Sequence, residues 1–516
     1  VRRASADCAK IGGERRINQR LPSSPGRCSR KCPYHAIRAF LFMQYIQGEA
    51  RSQGSLFPQS LDELVPEDHL VRVIEAYVAR LDLRVLGFSK AQARQTGRPS
   101  YDPADLLKLY LYGYFQRIRS SRRLEAECQR NVEVMWLLGR LAPDFKTIAD
   151  FRKDNGAAFA ATCRAFVQFC RQVGLIAGQL VAIDGSKFQA VASARKQLSL
   201  KQLKRQQERL EKHITDYLAQ LEAADRAEAD DAIDRSAVKA ALQRLQGKHA
   251  DNLTSQALLE AQQLEQFVIG EADAKLMRTH LGPRVAYNVQ SAVDAEHCLI
   301  LHHEVTQDGN DSQQLEPMAK ATQAVLQQVR LEVVADAGYS NGAQFQACEE
   351  AGITAYVPPN RATNNRSDDV DLFERGDFTY DAENDQYQCP AGKLLSLKQW
   401  NRGDRIYQAA ISDCNSCPLK ARCTQAKRRY VSRHAHEAAF ERMEQRMQAH
   451  PEMMVSRRSI VEHPFGNLKQ WLFGNGRFLL RQLKGARTEM ALAVQAYNLK
   501  RAINVLGAGQ LIALMG

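Results

Sequence analysis

Three short segments hold residues whose types and spacing could do chemistry. They are Val181-Ala-Ile-Asp184-Gly-Ser, Val333-Val-Ala-Asp336-Ala-Gly-Tyr and Ile460-Val-Glu462-His-Pro-Phe-Gly-Asn-Leu-Lys469. Two are apolar runs of strand type that end in an aspartate. The third sets a glutamate on a helix, with a lysine seven residues further on. Two strand-end carboxylates and a helical one are what a two-metal phosphoryl-transfer site needs. Hard Mg²⁺ or Mn²⁺ ions prefer carboxylate oxygens, and an ion pair activates the attacking oxygen while stabilising the leaving one. Taken singly, each aspartate has a plainer role as a turn former or helix cap. The order of the three, and what lies between them, favours the metal site.

Lys469 falls two turns past Glu462 on nearly the same helix face, and Arg458 one turn before it. Both could reach a phosphate near the metals; an exposed salt bridge along the helix is the plainer role. Pro464 removes a helix donor just past the glutamate. The helix should therefore kink there, or begin close by with Glu462 in its first turn. Asp273, Asp294 and Asp311 are rival acids, ranked behind the chosen three because turns need aspartates in any case. Tyr339 and Asn341 are candidates for contacts to the metal shell or to DNA.

The chain that must position these groups has 516 residues, enough for two or three domains and a large core. Hydrophobic residues make up 44% and charged residues 25%, an ordinary soluble balance. Lys and Arg total 71 against 58 Asp and Glu, a net charge of +13. That favours a polyanionic partner, with nucleic acid first and an anionic membrane surface a distant second. No apolar stretch approaches a membrane span; the richest, 106–115, is broken by Lys108. The start lacks the apolar core of a secretory signal, so the reading is cytoplasmic. Residues 1–42 are rich in Arg, Ser, Cys and Pro without period, and Met43 follows. They read as a non-native or disordered leader, with a basic phosphate-binding arm as the alternative.

Residues 43–175 read as a helical, DNA-binding N-terminal domain. Leu61, Leu64, Val65, Leu70, Val71, Val73 and Ile74 space an amphipathic face. Gly97-Arg-Pro-Ser-Tyr-Asp-Pro103 is a turn ahead of the helix of Leu106, Leu107, Leu109 and Tyr110. Arg117, Arg119, Arg122 and Arg123 form a basic link whose serines can cap the next helix, and Thr147-Ile-Ala-Asp150 has the chemistry of another helix start. Short helices with arginines at their junctions suit a helix-turn-helix bundle on DNA. A plain bundle with a solvated basic link fits the pattern equally well.

Residues 176–508 alternate strands and helices, an α/β pattern. A strand over 179–184 is followed by a helical hairpin insertion, 197–268, rich in Gln, Leu, Ala, Lys and Glu and broken near Ala223. This insertion is a cover on its own domain, a dimerisation arm or a DNA-facing element. Val285, Tyr287, Val289, Ser291 and Val293 alternate along one strand face, and a second strand runs over 297–305. A helix to about Gln328, the Asp336 strand, a helix from about Ala343 and a short strand over 353–357 complete the order. Residues 360–440 form a Cys-cluster insertion before the glutamate helix.

Twelve cysteines in a cytoplasmic chain argue against a disulfide framework. Cys389, Cys414, Cys417 and Cys423 lie within 35 residues and suit one tetrahedral Zn²⁺, with a dithiol switch or four free thiols as alternatives. Lys420, Arg422, Lys427, Arg428 and Arg429 nearby suggest contact with a DNA backbone.

With its insertions set aside, the element order resembles a ribonuclease-H-like fold, in which the first and fourth strands are neighbours. Asp184 and Asp336 would then face each other at one sheet edge. From Met43 onward the chain resembles the DDE transposases of bacterial insertion sequences, in the group with a Cys-bearing insertion ahead of the glutamate helix. Gly97-Arg-Pro-Ser-Tyr, Tyr112-Gly-Tyr, Ile118-Arg-Ser-Ser-Arg122 and Pro143-Asp-Phe-Lys-Thr-Ile-Ala-Asp-Phe-Arg152 carry the likeness in the N-terminal part. Tyr287-Asn-Val-Gln, Asp308-Gly-Asn-Asp and Asp336-Ala-Gly-Tyr carry it in the catalytic part. The resemblance implies Asp184, Asp336 and Glu462 around two Mg²⁺ or Mn²⁺ ions, with Lys469 on the phosphate. It implies binding to the element's double-stranded terminal repeats, strand cleavage and strand transfer to target DNA, a homodimer that pairs two ends, and a nucleoid-associated location. A catalytically inactive regulator derived from such a transposase is the alternative, and a hydrolytic nuclease a third reading.

Overall fold

The computed structural model describes residues 60–92, 99–193, 197–226, 235–261, 266–279, 282–360, 372–401 and 404–516. The leader 1–42, Met43, and the Gly97-Arg98 start of the expected turn lie outside them. Ser60–Gly516 forms one compact unit.

Six helices come first: α1 (Leu70–Ala79), α2 (Pro103–Phe115), α3 (Ser121–Arg130), α4 (Val132–Leu137), α5 (Phe145–Asp154) and α6 (Gly156–Gln172). Their starts follow from capping. The Asp102 carboxylate accepts from Ala104 N at 2.8 Å, with Pro103 at the first helical position, where its missing N–H costs nothing. At α5 the cap is Asp144, which accepts from the backbone N of Lys146 and Thr147. Thr147 is therefore inside the first turn, where its hydroxyl donates to Asp144, and the helix starts earlier than Thr147-Ile-Ala-Asp150 implied.

Then come β1 (Leu180–Gln189), β2 (Gln197–Ser199), α7 (Leu200–Arg226), α8 (Arg235–Ala261), β3 (Gln266–Val268), β4 (Lys275–Thr279), β5 (Gly282–Asp294) and β6 (Ile300–Thr306). Helices α7 and α8 pack on each other, and β2 pairs antiparallel with β3 beneath them. α9 (Leu315–Leu326), β7 (Leu331–Val334), a 3₁₀ turn (Ala337–Tyr339), α10 (Gly342–Glu350) and β8 (Ile353–Tyr356) follow.

The main sheet runs β4-β5-β1-β7-β8, with β6 also on β5. β1 is antiparallel to β5 and parallel to β7, and β7 is parallel to β8. β5 is buried along Val285–Asp294, on both faces. The alternation expected for it is therefore only half the pattern, because Asn288 and Gln290 are fully buried on the second face.

A second sheet, β9 (Thr379–Asp381), β10 (Gln386–Gln388), β11 (Leu394–Asn401), β12 (Asp404–Ala409) and β13 (Tyr430–Arg433), is antiparallel in the order β13-β12-β11-β10-β9. It carries α11 (Ile411–Asn415) and α12 (Lys420–Cys423) and has its own small core around Phe378, Tyr387, Leu395 and Tyr407. The chain returns through α13 (Glu437–Ala449), α14 (Glu452–Gly466), a π-helical turn (Asn467–Leu472), α15 (Gln482–Leu506) and α16 (Ala508–Met515). α15 packs against α2 and α6 on one side and β6 on the other, so the N-terminal helices and the main sheet share one apolar core. No helix of the described residues is long and apolar enough to cross a membrane.

Candidate active site

The register between β1 and β7 sets the first two acids level. Ala182 pairs with Val334, the last residue of β7, so Asp184 and Asp336 each lie two residues beyond that pair. β1 does not end at Asp184 as the sequence implied. It continues to Gln189, paired with β5 alone, and this leaves the β7 side of the strand open beside Asp184. Asp336 caps the 3₁₀ turn, its Oδ1 accepting from Gly338 N at 2.9 Å, which leaves Oδ2 free to face Asp184.

One cation joins the two carboxylates. Arg457 Nη2 stands 2.9 Å from Asp184 Oδ1 and 3.4 Å from Asp336 Oδ2. Burial pushes the Asp184 carboxyl up to about 6; the guanidinium opposes that rise, and the charges of Asp336 and Asp311 add to it. Arg457 was not singled out from the sequence. A helix advances about 100° per residue, so its face is shared with Ile460, Val461 and Pro464, all buried. That apolar spacing was the signal that could have found it.

Glu462 lies five residues on, about 140° around the axis from Arg457, and is exposed, as is Arg458. The structure therefore brings together Asp184 and Asp336 but does not draw Glu462 to them. Among the described residues no three His, Cys, Asp or Glu side chains already converge on one metal position. The expected kink is also placed differently: α14 begins at Glu452, so Glu462 is deep in the helix and Pro464 is tolerated inside it. The disturbance appears downstream, where Phe473 N bonds to Leu468 O in a π-type turn.

That turn delivers Lys469 to the site. Its ammonium lies 5.3 Å from the Phe188 ring centre; burial lowers its pKa, and the charge of Asp184 opposes this. Gly476, at φ +62°, lets the next loop cross the lysine stem, since a Cβ there would meet Lys469 Cγ at 3.3 Å. The loop is pinned to β1 by Gln189 N to Gly476 O and Phe478 N to Gln189 O. Asp184, Asp336 and Arg457 thus meet directly, and Lys469 lies near enough to feel the charge of Asp184.

The other expected residues divide. Arg117, Arg122 and Arg123 are exposed, with Arg117 over Trp471 and Arg122 over Phe145. Arg119 turns inward to the fully buried Glu489 at 2.8 Å and to the carbonyls of Phe473 and Arg477. Tyr339 is buried and donates to Gln290, and the half-buried Asn341 caps α10. Of the rival acids, Asp294 accepts from the turn amides of Glu296 and His297, and Asp273 accepts from Leu483 N. Asp311 belongs to the network behind the site.

Cys389, Cys414, Cys417 and Cys423 line one cavity of about 20 Å³ together with Lys393, Lys420 and Arg429. Lys393 N donates to Cys389 Sγ at 3.3 Å, and burial raises the Cys423 thiol, with the other three thiols adding to the rise.

Comparison with known proteins adds two family matches. Residues 59–154 match a model described as a transposase domain of the DUF772 type, and residues 266–499 match the transposase DDE domain. Together they span well over half of the chain. The DDE match takes in Asp336, Glu462 and Lys469 but starts after the α7–α8 hairpin, so the place of Asp184 rests on the sheet register. Among solved structures, a piggyBac transposase synaptic complex with hairpin DNA aligns over 88% of this chain and 77% of that one. Its TM-score is 0.27 and its identity 8%. No curated protein matches the chain.

Proposed function

The chain belongs to the DDE transposases of insertion sequences, and on that premise we propose that Asp184, Asp336, Glu462 and Lys469 are its catalytic residues. The observation that carries this is the shared cation: two carboxylates, one on β1 and one just past the end of β7, hold one guanidinium where a divalent ion would bind. Two carboxylates held close enough to share one positive charge, with burial raising Asp184, are the donor set that Mg²⁺ or Mn²⁺ takes. When bound there, divalent ions supply the activation of the attacking oxygen and the stabilisation of the leaving one.

The protein's own part is positional. Asp184 and Asp336 present oxygens from one sheet edge. Lys469, held by the π turn, meets the negative charge that builds on the phosphate. Glu462, on the helix that also carries Arg457, is the third carboxylate of this reading. Arg117, Arg122, Arg123 and Arg458 lie on exposed surface and bind phosphates of the element's terminal repeats, and Arg119 supports that surface from behind.

The sheet order, with its antiparallel β6-β5-β1 and parallel β1-β7-β8 runs, supports a ribonuclease-H-like catalytic domain. The α7–α8 hairpin and the Cys-bearing sheet are its insertions, and the helical part is a DNA-binding domain before it. One structural Zn²⁺ is the ion this reading assigns to the four thiols, which share one cavity without yet converging on a metal position. Their cavity has room for about one water-sized species, an N–H already points at one sulfur, and the core of this sheet is too small to be stable without a staple. Two copies pair two element ends, as a homodimer on the DNA in a nucleoid-associated, cytoplasmic setting. Strand cleavage and joining on DNA bearing the element's ends tests the reading. Loss of both activities in Asp184→Ala, Asp336→Ala and Glu462→Ala, with end binding kept, supports it. End binding without chemistry in the unaltered protein would instead show a regulator.

A further inference from the structure

Asp311, in the loop before α9, is the hub of a network that grips both acid-bearing segments from the far side of the sheet. Gly185 and Lys187 alternate with Asp184 along β1, so they face the side opposite it. On that side Asp311 Oδ1 accepts from Asn288 Nδ2 and Gln290 Nε2, each at 2.6 Å, and both Asp311 oxygens lie 3.3 Å from Lys187 Nζ. The β1–β5 register explains the convergence, since Lys187 pairs with Asn288 and Gly185 with Gln290. Gly185 must be glycine for this approach: a Cβ there would fall 2.5 Å from Asp311 Oδ1 and from Gln290 Nε2. Gln290 passes the link onward. Its Oε1 accepts from the Tyr339 hydroxyl, at the end of the turn that Asp336 caps.

Neither a solvated loop acid nor a simple cap accounts for this arrangement. Asn288 and Gln290 are fully buried amides on a strand covered on both faces, and burying them is favourable only with partners. Their shared acceptor reaches in from a third element. A chain of bonds therefore runs from β1 beside Asp184, through Asp311 and Gln290, to the turn that carries Asp336.

We infer that Asp311 is a positioning residue of the strand-transfer site, which sets the separation of Asp184 and Asp336 and so the affinity for the divalent ion between them. This rests on the reading of those two aspartates as the metal acids. An outer partner of that kind typically alters metal affinity by about 10- to 100-fold.

Mn²⁺ binding to the full-length protein without DNA, followed by electron paramagnetic resonance, provides the test. Asp311→Asn keeps the side-chain shape but removes the charge that collects three donors; an affinity loss of about tenfold or more is expected. Tyr339→Phe removes only the far hydroxyl and should weaken binding in the same direction by a smaller factor. The double variant should bind no more weakly than Asp311→Asn, because both act along one chain. Affinity within twofold of the unaltered protein in Asp311→Asn, or strictly additive losses, overturns the inference. If Asp311→Asn does not fold, Tyr339→Phe decides alone, and unchanged affinity there overturns it. Asp184→Asn and Asp336→Asn separate the two readings. Mn²⁺ binding lost in both but kept in Asp311→Asn removes only the role of Asp311, whereas binding kept in both removes the acid pair itself.

Discussion

Replacing Arg457 with Met keeps much of the side-chain length while deleting the cation that joins Asp184 and Asp336. Two unit charges about 4 Å apart interact by about 4 kcal/mol at an effective dielectric constant near 20. The Asp184 side chain is 20% exposed and that of Asp336 44%, so solvent screening leaves roughly 1.5–3 kcal/mol of this, or about one to two pH units on Asp184. The Asp184 carboxyl, already pushed up to about 6, rises further, because the guanidinium was opposing the effects of burial and of Asp336. Two consequences for Mn²⁺ binding have opposite signs. At pH 8.5 the Asp184 carboxylate is ionised and no guanidinium has to be displaced, so affinity should rise, by about tenfold if some 1.4 kcal/mol is released. Near pH 6 the ion must compete with a proton on Asp184, so affinity should fall below that of the unaltered protein. Titration by electron paramagnetic resonance at the two pH values reads both. Affinity at pH 8.5 that is unchanged or reduced would refute the idea that Arg457 stands where the ion binds.

Asp184→Asn should stabilise the fold at high pH. A carboxyl whose folded pKa is raised from 3.8 to about 6 binds more protons folded than unfolded, so it costs stability as pH rises through that window, up to about 3 kcal/mol above it. Urea unfolding at pH 8 and pH 4 should show the gain at pH 8 only. Arg119→Met removes the cation bonded to the buried Glu489 carboxylate and should cost about 3–5 kcal/mol in the same assay. Arg122→Ala and Arg123→Ala should leave stability within about 0.5 kcal/mol while reducing affinity for the terminal repeat and its salt dependence, read by titration at two salt concentrations. Elemental analysis of the purified protein should find one zinc per chain that Cys414→Ser abolishes, and zinc removal should expose 372–433 to limited proteolysis before the rest of the chain.

Much of the site could be read from short-range pattern. The apolar runs before Asp184 and Asp336 are strands because continuous apolar segments bounded by turn residues suit a buried parallel pair, and β1 and β7 are that pair. Lys469 lies near Asp184 through a π turn, whereas Glu462, whose helix face the sequence assigned to it, stays exposed. The Cys spacing anticipated four thiols around one cavity. These features depend on residue type and on spacing along a single element, which a linear chain displays directly.

What the chain could not display is which groups meet across elements. Arg457 reaches the acids and Glu462 does not because α14 is rotated so that Ile460 and Val461 are buried, a choice made by packing against β1, β5 and β7. Arg119 looked like its exposed neighbours until α15 presented Glu489 to it. Asp311 ranked as an ordinary turn acid until β5, buried on both faces, brought Asn288 and Gln290 to it. Sequence by itself determined the strands, the acids they carry and the chemistry those acids suit, because local propensity and residue type act within one element. Only the tertiary structure decided which cation sits between the acids and which network holds them, because burial forces partners together from segments far apart in the chain.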